Sequence, residues 1–223
     1  MTTAEIKQSA TGATTAEHRS SGTGADNPAL LGLPALITGS LSLVLYLTDF
    51  RSAGNSLAAS LPVMVLSSGV LSMIATVWAA RIGQGHFAAV WGLFSTFWFS
   101  FSALTLGLGH DWYGDLANLE QRNAHASFVF AWLIVLTAFT LTTLRLPKSY
   151  TILFVGIDLV LLGMFLSIIQ AAANPQAGDP AVLTAANLGM FLFIGFSAWI
   201  FAGAMNEATG GRPFRLGRPF VKR

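Results

Sequence analysis

One carboxylate, Asp158, stands inside the apolar run Ile152-Leu153-Phe154-Val155-Gly156-Ile157-Asp158-Leu159-Val160-Leu161. An ionisable group in such surroundings is costly unless it meets a cavity or another helix, so it marks either a solute or proton pathway or a hydrogen bond between helices. A carboxyl group held neutral there can donate a proton or a hydrogen bond to a passing anion. A second constellation is Asn27-Pro28-Ala29-Leu30-Leu31-Gly32-Leu33-Pro34. Asn27 suits an N-cap and Pro28 a first helical position, which makes an ordinary helix start. Pro34, further in, would free a backbone carbonyl, and such groups are tolerated at membrane depth where they line a cavity. The positive end of the helix dipole would also favour an anion.

Other chemistry is sparse. His18, His86, His110 and His125 are scattered over a tail and three loops, with no i, i+4 pair and no H-E-x-x-H, so no metal site is expected. The chain has no cysteine, which removes disulfides, thiolate metal sites and cysteine nucleophiles. No nucleophile–base pair is visible, and neither an enzyme nor a cofactor is expected.

The elements that position these residues follow from composition. Of 223 residues, 53% are hydrophobic and only 10% charged, and the mean hydropathy is +0.62, outside the range of an ordinary soluble domain. A spanning helix needs about 20 mostly apolar residues, and six such runs are present, at about Leu30–Thr48, Ala58–Ala80, Phe87–Gly109, Ser127–Leu144, Tyr150–Ala171 and Ala181–Met205. They lack the period-two alternation of a barrel wall, and backbone groups in lipid must bond to one another, which leaves helices. Tyr46, Trp78, Trp112, Tyr113 and Tyr150 lie near the ends, where such rings favour the headgroup layer. The fold class is therefore all-α integral membrane, with six spans.

Lys and Arg set the orientation. With both termini inside, the cytoplasmic pieces hold Lys7, Arg19, Arg81, Arg145, Lys148, Arg212, Arg215, Arg218, Lys222 and Arg223, and the outer loops only Arg51 and Arg122. The pI of about 9.3 reflects these dispersed cations, which suit anionic lipid; no patch for a nucleic acid forms. Residues 1–26 are rich in Ser, Thr, Ala and Gly and are expected to be a disordered cytoplasmic tail ahead of a membrane domain at 27–206. A basic cytoplasmic tail, 207–223, follows and is free to lie on the membrane. In the third segment Trp91, Phe94, Phe97, Trp98, Phe99 and Phe101 are expected to cover all sides of the helix. Gly156, Gly163, Gly189 and Gly195 read as close-packing sites between helices.

Asn27-Pro-Ala-Leu-Leu-Gly-Leu33 resembles the N-P-A-P-L-G-L signature of the acetate uptake transporter family, which includes the bacterial succinate–acetate permeases; six of seven residues agree, with Leu30 in place of the second proline. Phe94-Ser95-Thr96-Phe97-Trp98 resembles the family's Y-G-S-F-W in the third helix, and Asn206-Glu207-Ala208-Thr209-Gly210-Gly211-Arg212 its N-E-x-x-G-R after the sixth. The resemblance covers about 27–217. It implies a six-helix protomer in a hexameric ring, one pore per protomer, and transport of a small carboxylate coupled to protons across the inner membrane.

On that resemblance Asn27, Pro28, Leu31 and Gly32 are the expected substrate-binding residues. A constriction built in relatives from Phe, Tyr and Leu falls at Leu36, Phe94 and Ile157. All three differ here yet stay apolar, so a hydrophobic gate is retained without the tyrosine hydroxyl. Asp158, beside it, is the candidate for proton coupling. Acetate and related carboxylates such as succinate are the implied substrates. The competing function is a non-transporting sensor or accessory subunit with the same fold, since related membrane proteins can keep a fold and lose its activity.

Overall fold

The computed structural model describes residues 27–48, 57–173 and 180–221, so the expected N-terminal tail lies outside the described residues. Among the described residues six helices are long and apolar enough to cross a membrane. We number them α1 (Ala29–Leu47), α2 (the consecutive pieces Leu57–Pro62, Val63–Val70 and Leu71–Arg81), α3 (Gly85–Gly109), α4 (Asn118–Thr143), α5 (Lys148–Ala173) and α6 (Pro180–Ala208). Large apolar side chains, among them Leu66, Phe130, Ile134, Leu141, Leu188 and Phe191, stand on the outside. Water would not tolerate such a surface, and lipid does.

Helix ends lie within three residues of the hydropathy reading, with one exception. Helix α4 begins at Asn118, nine residues before Ser127. The polar stretch ahead of the span continues the helix, and Glu120 accepts the backbone N–H of Ala117 at 2.9 Å to cap it. Helix α6 runs on to Ala208. The middle of α2, Val63–Val70, is π-wound, a form that disturbs the regular backbone ladder. There Ser95 of α3 donates to the Gly69 carbonyl at 2.9 Å, and Ser68 donates to the carbonyl of Ala35 in α1. These bonds lock α1, α2 and α3 together in a medium without competing water.

Helices α5 and α6 pack through small residues. A Cβ built on Gly156 would meet the carbonyl oxygen of Gly189 at 2.8 Å, and one on Gly189 that of Gly156 at 2.6 Å. Gly163 meets Ala186 in the same way, at 2.5 Å. Such contact lets two backbones gain dispersion energy where no hydrophobic force acts between helices. Gly195, grouped with these by sequence, has open space around it.

Candidate functional site

Helix α1 begins where Asn27 Oδ1 accepts the N–H of Ala29 at 3.0 Å, a side-chain cap with Pro28 in helical conformation just before Ala29. Asn27 also lines a cavity with Tyr150 at the start of α5, Glu207 near the end of α6, and Pro213, Phe214 and Leu216 beyond it. Both ends of the described chain therefore lie at one end of the bundle. The segment after α6 folds back as a strap. Ser149 donates to the Leu216 carbonyl through its N–H at 3.1 Å and its hydroxyl at 2.9 Å, and Val221 N–H reaches the Leu144 carbonyl at 3.0 Å. The Trp199 and Phe214 rings meet at a tilt of 43° with centroids 4.7 Å apart, and Lys148 Nζ stands 5.0 Å from the Phe220 ring. The basic tail thus forms a wall of the mouth.

Ala29 and Tyr150 line this mouth and also a second, narrow cavity walled by Leu33, Leu36, Phe87, Trp91 and Phe94. Phe94 in turn belongs to a third, narrow cavity with Leu43, Trp98, Ile157 and Met190. The three spaces form a file, with Tyr150 and Ala29 at the first neck and Phe94 at the second. Phe94 is held by its neighbours, its ring 5.6 Å from Phe193 and 6.1 Å from Phe154. Around it the walls are almost wholly apolar, a lining that excludes water and ions.

The three residues expected at a constriction are all buried, with Leu36 1%, Phe94 3% and Ile157 6% exposed, and they come from α1, α3 and α5. They do not share one cavity. Leu36 lies on the mouth side of Phe94 and Ile157 on the far side. Of the four motif residues, Asn27 reaches a cavity, whereas Pro28, Leu31 and Gly32 line none of the three. Gly32 instead seats Trp91, because a Cβ there would come within 2.6 Å of the indole carbons. Asp158, expected to face the pore, turns to α4, where Thr140 donates to its Oδ2 at 2.7 Å and Thr137 stands beside it. It too lines none of the three cavities.

Sequence reasoning missed other residues. Tyr150 is a wall of two cavities and not only an interfacial ring. Of the six α3 aromatics named from the sequence, Trp91, Phe94, Phe97, Trp98 and Phe101 are buried and Phe99 is only partly so. They occupy one face, which their spacing of three, four and seven residues would have revealed. Among the described residues no cluster of His, Asp and Glu fits a metal ion.

The profile of the GPR1/FUN34/yaaH family matches residues 9–211. The chain is 30% identical over 202 residues to a protein of Yarrowia lipolytica named a glyoxylate pathway regulator, a match that covers 88% of this chain and 71% of that one. The structure of the bacterial acetate channel SatP superposes with a TM-score of 0.67 over 88% of this chain and 97% of that chain, at 16% identity, a likeness of fold.

Proposed function

The chain belongs to the GPR1/FUN34/yaaH family, and from that premise we propose that it passes acetate and related small carboxylates across a membrane, coupled to protons. The observation that carries the reading is the file of three cavities, polar at the mouth and apolar within, divided by Phe94. With Asn27 Oδ1 committed to Ala29, the amide nitrogen remains as a donor for a carboxylate at the mouth. Glu207 in the same wall opposes a second negative charge, which suits monocarboxylates better than dicarboxylates. The apolar walls beyond it suit a methyl group.

Arg81, Arg145, Lys148, Arg212, Arg215 and Arg218 gather at the mouth end by topology. They raise the local anion concentration and, by the preference of Lys and Arg for the cytoplasmic side, set both termini in the cytoplasm with the protein in the inner membrane. A hexameric ring, one pore per protomer, would cover part of the exposed apolar surface. Proton coupling falls to Asp158, acting through its contact with α4 rather than by touching the anion.

A second reading, a non-transporting sensor or accessory subunit, draws support from the regulator name of the Yarrowia relative. Uptake of labelled acetate into proteoliposomes at mildly acidic external pH separates the two. Uptake well above protein-free vesicles is expected, inhibited by unlabelled acetate and less by succinate. Uptake equal to that of empty vesicles would favour the sensor.

A further inference from the structure

Four buried side-chain donors on α3 have no partner among the described residues, the indole N–H groups of Trp91 and Trp98 and the hydroxyls of Ser102 and Thr105; of these the two indoles line the cavities described above. The two indole side chains are 3% and 2% exposed. A buried donor left unpaired is destabilising, and folded chains keep few of them. Their positions are ordered. Trp91 lines the cavity on the mouth side of Phe94, and Trp98 the cavity beyond it. Seven residues separate them, two turns of one helical face or about 10 Å along the axis.

Helix α1 is built to match. A Cβ on Gly32 would lie 2.6 Å from carbons of the Trp91 ring, and one on Gly39 would come closest to Ser68 of α2 and lie 3.1 Å from Cε2 of Trp98. The two glycines are also seven residues apart, so one repeat on α1 seats one repeat on α3. In the inner cavity only Ser40 and Trp98 carry a polar side-chain atom. An indole N–H donates and cannot accept, and it carries no charge at any physiological pH. It therefore discriminates for an anion without placing a cation in the apolar file, and bonds to a charged acceptor are about twice as strong as neutral ones.

The geometry points to Trp91 and Trp98 as two successive carboxylate-binding stations, one on each side of Phe94. The inference rests on the carboxylate reading above and deepens it. At a separation of about 10 Å a small monocarboxylate touches one donor at a time, giving it up on one side of the wall and finding the second beyond.

The test is fluorine NMR of the full chain labelled with 5-fluorotryptophan, with Trp78, Trp112, Trp132 and Trp199 changed to Phe, so that Trp91 and Trp98 alone give signals. Sodium acetate is titrated against sodium chloride at equal ionic strength, and the same protein is assayed for acetate uptake in proteoliposomes. Both signals are expected to shift saturably with acetate and not with chloride. Trp91→Phe and Trp98→Phe are each expected to raise the acetate KM by about tenfold, the loss of one charge-assisted hydrogen bond. Signals that both ignore acetate, or a shift of one alone, overturn the pair whether or not uptake occurs. Saturable shifts of both without uptake uphold the pair as a carboxylate site and overturn the carrier reading instead.

Discussion

Ser149 holds the carbonyl of Leu216 twice, by its backbone N–H at 3.1 Å and its hydroxyl at 2.9 Å, across 67 positions of sequence. This pairing fixes the strap over the mouth lined by Tyr150 and Leu216. Ser149→Ala removes the hydroxyl bond and leaves the backbone one. A net hydrogen bond is worth about 0.5–1.5 kcal/mol, so the detached strap should become about 2- to 10-fold more populated. Limited trypsin digestion after Arg215 should speed up by that factor in detergent micelles. Unchanged cleavage would mean that the Val221–Leu144 bond and the Trp199–Phe214 ring contact hold the strap unaided.

Gly32 tests packing against binding. The Cβ of an alanine there would stand 2.6 Å from carbons of a buried ring, so Gly32→Ala should force Trp91 or α1 to move and lower stability by about 1–3 kcal/mol. Gly195→Ala, where nothing lies within 4 Å, should leave the melting temperature level or slightly raised. Equal thermal stability of the two variants would show that Gly32 seats nothing.

How much of this was legible in the sequence depends on the range of the physics involved. The six spans come from a local property, the apolar length needed to cross lipid, and they emerge with their order and number correct. The early start of α4 did not, because Asn118, Glu120 and Gln121 continue a helix outside the hydrocarbon, where hydropathy carries no signal. Leu36, Phe94 and Ile157 were found as buried positions through resemblance, yet their division across Phe94 depends on how three helices meet. Gly32 looked like part of a binding motif because only the fold reveals that Trp91, 59 positions away, needs its missing side chain. The strap was illegible for the same reason: a polar, basic segment reads as a free tail until Ser149 is placed beside it.

Phe94 divides the two inner cavities, and its removal should join them. Phe94→Ala leaves the walls of Leu36 and Ile157 too far apart to close the file, so propionate and lactate should gain on acetate in competition uptake. The cost is that of a large aromatic lost from a core, about 3–5 kcal/mol of stability. Melting should therefore be followed alongside, and Phe94→Leu serves as the milder variant, with a smaller shift in the same direction. A selectivity ratio unchanged in both variants, with protein still folded, would place the barrier elsewhere in the file.

Asp158 separates ionisation from shape. Its Oδ2 accepts a hydrogen bond from Thr140 at 2.7 Å in the contact between α4 and α5, and the neighbouring Ile157 lines the inner cavity. Asp158→Asn keeps the size of the side chain and an oxygen to receive the Thr140 hydroxyl, so insertion and folding should persist. What it loses is the ability to gain or release a proton. If a proton taken up at Asp158 adjusts the α4–α5 contact and with it the wall at Ile157, the Asn variant should still bind acetate, and the rise of uptake toward acidic pH should flatten. Thr140→Val provides the complement, since it removes the hydrogen bond and leaves the carboxyl group titratable; uptake should then keep its pH dependence with the midpoint displaced. Uptake measured between mildly acidic and neutral pH decides the matter. A pH profile in Asp158→Asn that overlays the parent's would reduce the residue to a hydrogen bond between helices and send the proton by another route.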